Sequence, residues 1–459
     1  MNFLRFFLSL IPVVWIGWVV LHGITSRRSS FSLLEKGALS FGIGWGVLSF
    51  EMFYGALVGI SWNVWILIGP WLLSSFFFIP RMKKSGKISL KPFSHEERRL
   101  FLILLFLIIY VTLESLTLPL TYYNFWDGWS IWGQKAKAFA LKGSLDVSLF
   151  TDPSRTYAHP EYPLLLPLSE CWLYLGMGEV DEQVIKLLFP LFYFSFLALF
   201  WKFFEREKGR QESLLYTVLL ATSPLLIYHL ISGYAELPLT FYYTFSTLSL
   251  YFWCWKGKRE DLWVGVLFSA FAAWTKSEGQ ALLGLNAMLF GSAYLLTSKE
   301  ALFKKWMKIF LLFSPFIVIA PWWIFLKRLH VSPSEFVPQF RPDLLASHGG
   351  RMPLVFGTLV LKLLNVLKWN LLWVALFLMG GIFRRELFSF PRNLLAFALI
   401  LHLALYYFIY VIHPLDVLWA MNVDDSYNRV LLHAAPLALY LLGGLMGFGP
   451  VAKSRHHLT

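Results

Sequence analysis

Asp127 opens the stretch of this chain best equipped for chemistry, WDGWSIWGQKAKAFALKG at residues 126–143. It follows an apolar run directly, where a carboxylate can take a proton from a hydroxyl at the membrane surface. Trp129, Trp132, Ala136, Phe139 and Ala140 recur at helical spacing and predict one apolar face. Lys135, Lys137 and Lys142 fall off that face, within reach of lipid headgroups. Asp127 then stands where a helix N-cap belongs. A cap followed by snorkelling lysines accounts for the same pattern without chemistry, and the two readings weigh equally on these residues alone.

Four further motifs place ionisable groups at comparable positions. In YAHPEYPLLLPLSE, residues 157–170, Pro160 and Pro163 bracket Glu161 and Tyr162 and predict an extended, stiff backbone. His159 and Glu161 alternate with the prolines in a polar strip, although a rigid lead-in to a helix is the better reading of this motif by itself. In SGYAELPL, residues 232–239, Glu236 begins an apolar run with Pro238 just inside, which is also an ordinary helix start. In WTKSEGQALL, residues 274–283, Lys276 and Glu278 join two apolar runs. Charges at membrane depth cost energy and are functional candidates, while a self-neutralising Lys–Glu turn is the equal alternative. In DDSYNRVLLHAAP, residues 424–436, Arg429 offers a planar fork that fits a phosphate or anchors the last apolar run at the interface. His413 and His433 read as structural histidines, because no His, Asp or Glu spacing here forms a metal site.

The elements that must position these groups follow from composition. The chain has 459 residues, 57% of them hydrophobic and only 15% charged, with a mean hydropathy of +0.60. A soluble domain cannot hide that much apolar surface. Runs near the length that crosses ~30 Å of hydrocarbon recur at about 3–22, 38–58, 60–79, 100–120, 184–201, 213–231, 236–255, 262–275, 280–297, 309–326, 366–383, 394–412 and 431–448. The predicted fold is all-α and polytopic, with about 13 transmembrane helices and interfacial helices in a long first outer loop. Long continuous runs exclude a β-barrel. Basic residues concentrate at 27–36, 81–99, 202–212, 256–261, 298–308, 384–392 and 451–459, which the positive-inside rule makes cytoplasmic. That leaves 121–183, 232–235, 275–279, 327–365 and 413–430 outside, together with the N-terminus. All five motifs lie in or next to these outer segments. Residues 354–367, with Lys362 and Lys368, read as a second interfacial helix.

Other classes are excluded. The net charge of +13 is spread over short connections instead of a stripe with interleaved aromatics, so nucleic acid is not a partner. Cys171 and Cys254 sit in different apolar segments and predict neither disulfide nor redox site. Phosphate-binding loops, dinucleotide fingerprints and nucleophile elbows are missing from the sequence.

The order of these motifs resembles the C-type glycosyltransferase superfamily, multi-spanning enzymes that take sugar from a polyprenyl-phosphate carrier. WDGWSIWGQKAKA and HPEYPLLLP resemble most the bacterial branch near the protein mannosyltransferases and the aminoarabinose transferases of lipid A. The resemblance covers roughly residues 100–435, making 1–99 an addition before a core at 100–459 whose outer loops are 121–183 and 327–365. It implies that Asp127 is the catalytic base or acceptor-orienting acid and Glu236 a second acid. Lys276 and Arg429 would lie against the carrier phosphate, and His159, Glu161 and Tyr162 near the donor. Lys135, Lys137 and Glu278 join them as candidate carrier contacts. Gly128 departs from the acidic pair of several relatives and puts a protein acceptor in doubt.

The implied reaction moves a sugar to a hydroxyl on a glycan, lipid or protein, with inversion, on the periplasmic face of a bacterial inner membrane. No cofactor is called for; a divalent ion shared by Asp127 and Glu236 is chemically feasible but not indicated. The competing functions are a transporter or flippase of lipid-linked saccharides, a polymerase or ligase, and a non-catalytic assembly factor.

Overall fold

A computed structural model describes residues 2–25, 31–78, 92–121, 125–331, 342–414 and 416–446. Parts of the basic segments 27–36 and 81–99 and of the outer loop 327–365, and all of the basic segment 451–459, lie outside the described residues. Among the described residues helix is the only regular secondary structure. Five helices are long and apolar enough to cross a membrane: Asn2–Ile24, Val184–Glu205, Ser277–Thr297, Leu302–Arg328 and Arg392–Val411. Two bent pairs raise the number to seven, Arg210–Ala221 with Pro224–Ile231 at 58° and Ser426–Leu432 with Ala435–Met446 at 47°. On Leu302–Arg328, Phe303, Phe310, Ile317 and Ile324 are all exposed. Their spacing of two turns aligns them on one face, as expected of a helix side turned to lipid.

Among the described residues each predicted apolar run contains helix, yet length and composition identify five to seven crossings where hydropathy predicted about thirteen. The difference has physical causes. Residues 366–383 break at Asn370 and Leu371, both in the left-handed region. The bend in 210–231 falls at Thr222 and Ser223, and Pro224 opens the second helix at its first position, where no amide donor is needed. Glu236–Lys256 is almost wholly buried and carries Thr240, Thr244, Ser246, Thr247 and Ser249. A helix ringed by protein need not be apolar, because Ser and Thr can bond their own carbonyls: Thr240 Oγ1 donates to Glu236 O at 2.6 Å and Thr247 Oγ1 to Tyr243 O at 2.9 Å.

The leading helices share the core of the rest. Asn2–Ile24 and Leu33–Leu57 approach so closely that a Cβ on Gly44 would stand 1.9 Å from Val13 O, and one on Gly17 1.8 Å from Ser40 O. Tyr242 Oη donates to Gly42 O at 2.8 Å, and Trp172 Nε1 to Ser9 O at 2.9 Å. Glu51, inside Leu33–Leu57, accepts from Trp71 Nε1 at 2.7 Å. Ser32 and Glu35 form a capping box at the start of the second helix, which leaves the other Glu35 oxygen to accept from Arg206 at 2.7 Å.

Candidate functional site

Each charged group of the site is delivered by a helix end. Lys276 is the single residue between Arg259–Thr275 and Ser277–Thr297, and its extended backbone (φ −158°, ψ 157°) reverses the chain. Gly279 makes the reversal tight, since a Cβ there would meet Ala272 O at 1.9 Å. Glu236 is the first residue of Glu236–Lys256, and Arg429 lies in Ser426–Leu432 before the 47° bend.

These ends meet. Arg429 Nη2 stands 2.7 Å from Asp127 Oδ2 and 2.6 Å from Glu236 Oε1, and its Nε donates to the same Glu236 oxygen at 2.8 Å. Lys276 Nζ stands 2.8 Å from both Glu236 Oε1 and Glu278 Oε1. Asp127, Glu236 and Lys276 are buried. Three carboxylates therefore surround two cations in a region of low dielectric, where attraction is strong and an unpaired charge is expensive. Glu236 Oε2 and Glu278 Oε2 are buried and accept no hydrogen bond among the described residues. The Arg429 guanidinium also lies 4.7 Å from the Tyr234 ring centre.

A second group adjoins the first through Tyr162. Its ring stacks on His159 at 4.7 Å and on Trp132 at 5.6 Å, and Lys276 Nζ lies 5.8 Å from its centre. Tyr162 is within Coulombic reach of Glu278, Glu161, Arg429 and Asp127. His159 Nδ1 pairs with Glu161 Oε1 at 3.0 Å. Lys135 is fully buried and donates to His159 O at 2.6 Å. Burial pushes its ammonium down to about 7, opposed by Glu161.

Local geometry corrects several expectations. Asp127 is not an N-cap: its backbone is already helical and its side chain makes no cap bond, because the carboxylate is held by Arg429. Gly128–Gly133 forms a π-helical turn before the α-helix Gln134–Lys142. The wider turn shifts the phase of what precedes it, so Trp129 is 45% exposed while Trp132, Lys135, Ala136 and Phe139 are buried. Lys135 thus points into protein and not toward headgroups. The backbone at His159–Tyr162 is a turn, not an extended strip. His159 takes φ 47°, and Tyr162 N donates to His159 O at 3.1 Å. Pro160 occupies the second position of that turn, where its fixed φ favours bending.

Lys137 does not join the cluster. It pairs with Glu182 at 2.8 Å and lines a separate open depression with Asn2 and Glu179. Conversely, His229 and His433 are fully buried within Coulombic reach of Glu236 and Lys276. Neither histidine has a spacing signal in the sequence; only a titratable ring in an apolar run marked them. Among the described residues, no group of three or more His, Cys, Asp or Glu is arranged to hold a metal ion.

The arrangement can present a carboxylate to a substrate hydroxyl while neighbouring fixed charges stabilise developing charge. No protein-family model, no curated protein and no solved structure matches this chain.

Proposed function

We propose that this chain is a membrane glycosyltransferase that moves a sugar from a polyprenyl-phosphate carrier to an acceptor hydroxyl. The observation that carries the reading is the convergence of Asp127, Glu236, Lys276 and Arg429 from four separate connections into one buried cluster. Each of the four lies in or next to a connection that the distribution of Lys and Arg makes outer. The reading keeps the thirteen-span topology, with the site on the periplasmic face of a bacterial inner membrane.

In this mechanism Arg429 fixes Asp127 through Oδ2. The other oxygen, Oδ1, receives the acceptor hydroxyl's proton as the hydroxyl oxygen bonds to the anomeric carbon. The bond from that carbon to the carrier phosphate breaks, and the phosphate leaves with the electron pair. Positive charge grows on the sugar meanwhile, and a site with more carboxylates than cations stabilises it. Glu236 holds Arg429 and Lys276 in register by pairing with both. A single displacement of this kind inverts the anomeric centre.

The test is mass spectrometry of surface glycans and lipid-linked sugars from cells lacking the protein, complemented with wild-type or Asp127→Asn chains. Loss of one glycosylated product, restored by wild type alone, is the expected result. Restoration by a stably inserted Asp127→Asn chain would remove the proposed base.

A further inference from the structure

Arg429 and Lys276, the cations first assigned to the carrier phosphate, already share three carboxylates. A phosphate brought to them meets excess negative charge. Just before Arg429 the balance reverses. Lys362 Nζ stands 3.4 Å from Asp425 Oδ1, and Lys368 Nζ stands 2.7 Å from Asp425 Oδ2. Two cations share that one carboxylate, whose backbone takes φ 57° at the entry to Ser426–Leu432. Asn428 Nδ2 donates to the same Asp425 at 2.6 Å, tying it to the helix that carries Arg429.

A line of contacts joins this pair to the cluster. Lys368 Nζ lies 6.0 Å from the Tyr228 ring centre, and Tyr228 meets Phe125 at 5.4 Å, just before Asp127. The side chains of Lys362 and Lys368 are 16% and 35% exposed, so neither is fully enclosed by protein. Their own segment also shows bare apolar surface: Leu361, Leu364 and Leu367 are exposed, Leu367 to 84%. An anionic head beside a long apolar tail fits that combination, and a tailless anion leaves the leucines unused.

We propose that Lys362 and Lys368 bind the phosphate of a lipid-linked substrate whose tail lies along Leu361, Leu364 and Leu367, with Asp425 holding the two ammoniums together until the phosphate takes them. This rests on the carrier-dependent reading above and moves the phosphate from Arg429 and Lys276 to the lysine pair.

Binding to the full chain in detergent, followed by native mass spectrometry, tests it, with polyprenyl monophosphate as probe and phosphatidylglycerol as the competing anionic lipid. Wild type is expected to prefer the polyprenyl phosphate. The double variant Lys362→Gln/Lys368→Gln should weaken that binding by about tenfold or more, the scale of losing charge-assisted contacts. Asp425→Asn, which removes the competing carboxylate, should tighten it. Unchanged affinity in the double variant overturns the assignment while leaving the transferase reading intact. Equal affinity for both lipids in wild type, lost together in the double variant, makes the pair a general headgroup site and overturns it as well. A wild-type chain that ignores polyprenyl phosphate altogether sinks the carrier-dependent reading itself.

Discussion

Two buried ion clusters stand at opposite ends of the helix Glu236–Lys256, a separation of roughly 30 Å for its 21 residues. At the far end Arg206 Nη2 pairs with Glu35 at 2.7 Å and Nη1 with Asp261 at 2.9 Å, while the Phe203 ring lies 3.9 Å from the guanidinium. Lys256 Nζ donates to Arg206 O at 2.9 Å. At the near end Arg429 also bridges two carboxylates. The ingredients match, and the satisfaction differs. Neither Glu35 nor Asp261 has a buried oxygen without a hydrogen bond among the described residues, whereas Glu236 and Glu278 each have one. The far network ties helices together, whereas the near one keeps two buried carboxylate oxygens without a hydrogen bond among the described residues, and the proposed function gives it a substrate to meet.

That contrast breaks most sharply at Glu236. Glu236→Gln removes the one carboxylate that Arg429 and Lys276 share, so we expect a loss of about 3–5 kcal/mol in stability. Sugar transfer should also fall by about 100-fold or more, measured in bilayers at matched folded protein. Arg206→Met strands Glu35 and Asp261, and we expect a comparable loss of about 3–5 kcal/mol in denaturant unfolding. Its turnover per folded molecule should stay at the wild-type level. A drop in that turnover would erase the division between lock and site.

A further contrast separates two buried groups of the 121–183 loop by the sign of their pH dependence. Burial, reinforced by Glu182, pushes the Glu170 carboxyl from 4.5 up to about 8. Between those values the folded chain keeps a proton that the unfolded chain has released, so stability falls as pH rises through the window. Lys135 runs the other way, from 10.5 down to about 7. The unfolded chain holds the extra proton there, and stability rises with pH between the two values. Thermal unfolding across pH should lose the falling slope in Glu170→Gln and the rising one in Lys135→Met. The smallest effect belongs to Lys137. Its pair with Glu182 is half exposed, so Lys137→Gln should cost about 0–1 kcal/mol and leave transfer unchanged.

Much of this layout is legible in the sequence, for reasons that also explain what is not. Lipid forces long apolar helices, so Asn2–Ile24 and Leu302–Arg328 stand out at once. Glu236, Lys276 and Arg429 stand out because ionisable groups at the ends of apolar runs have few other places to go. The partnering of these charges depends on tertiary approach, and no local spacing encodes that Arg429 binds Asp127 or that Lys276 reaches Glu236. The π-turn at Gly128–Gly133 is similarly hidden, since it answers to the packing of Trp132 and Lys135 against His159–Tyr162. A strict helical period therefore assigned Trp129 and Lys135 to each other's faces. Glu236–Lys256 reads as an apolar run in the sequence, yet its hydroxyls keep it out of the five to seven crossings that length and composition identify.

The most direct trial of the account measures sugar release from a polyprenyl-phosphate donor by reconstituted Asp127→Asn chains, with their unfolding temperature recorded in the same preparation. The amide keeps an oxygen for Arg429, and Glu236 still balances the guanidinium, so the account expects a folded chain, destabilised less than Glu236→Gln, with transfer reduced by about 100-fold or more. Near-wild-type transfer from a folded Asp127→Asn chain would contradict it.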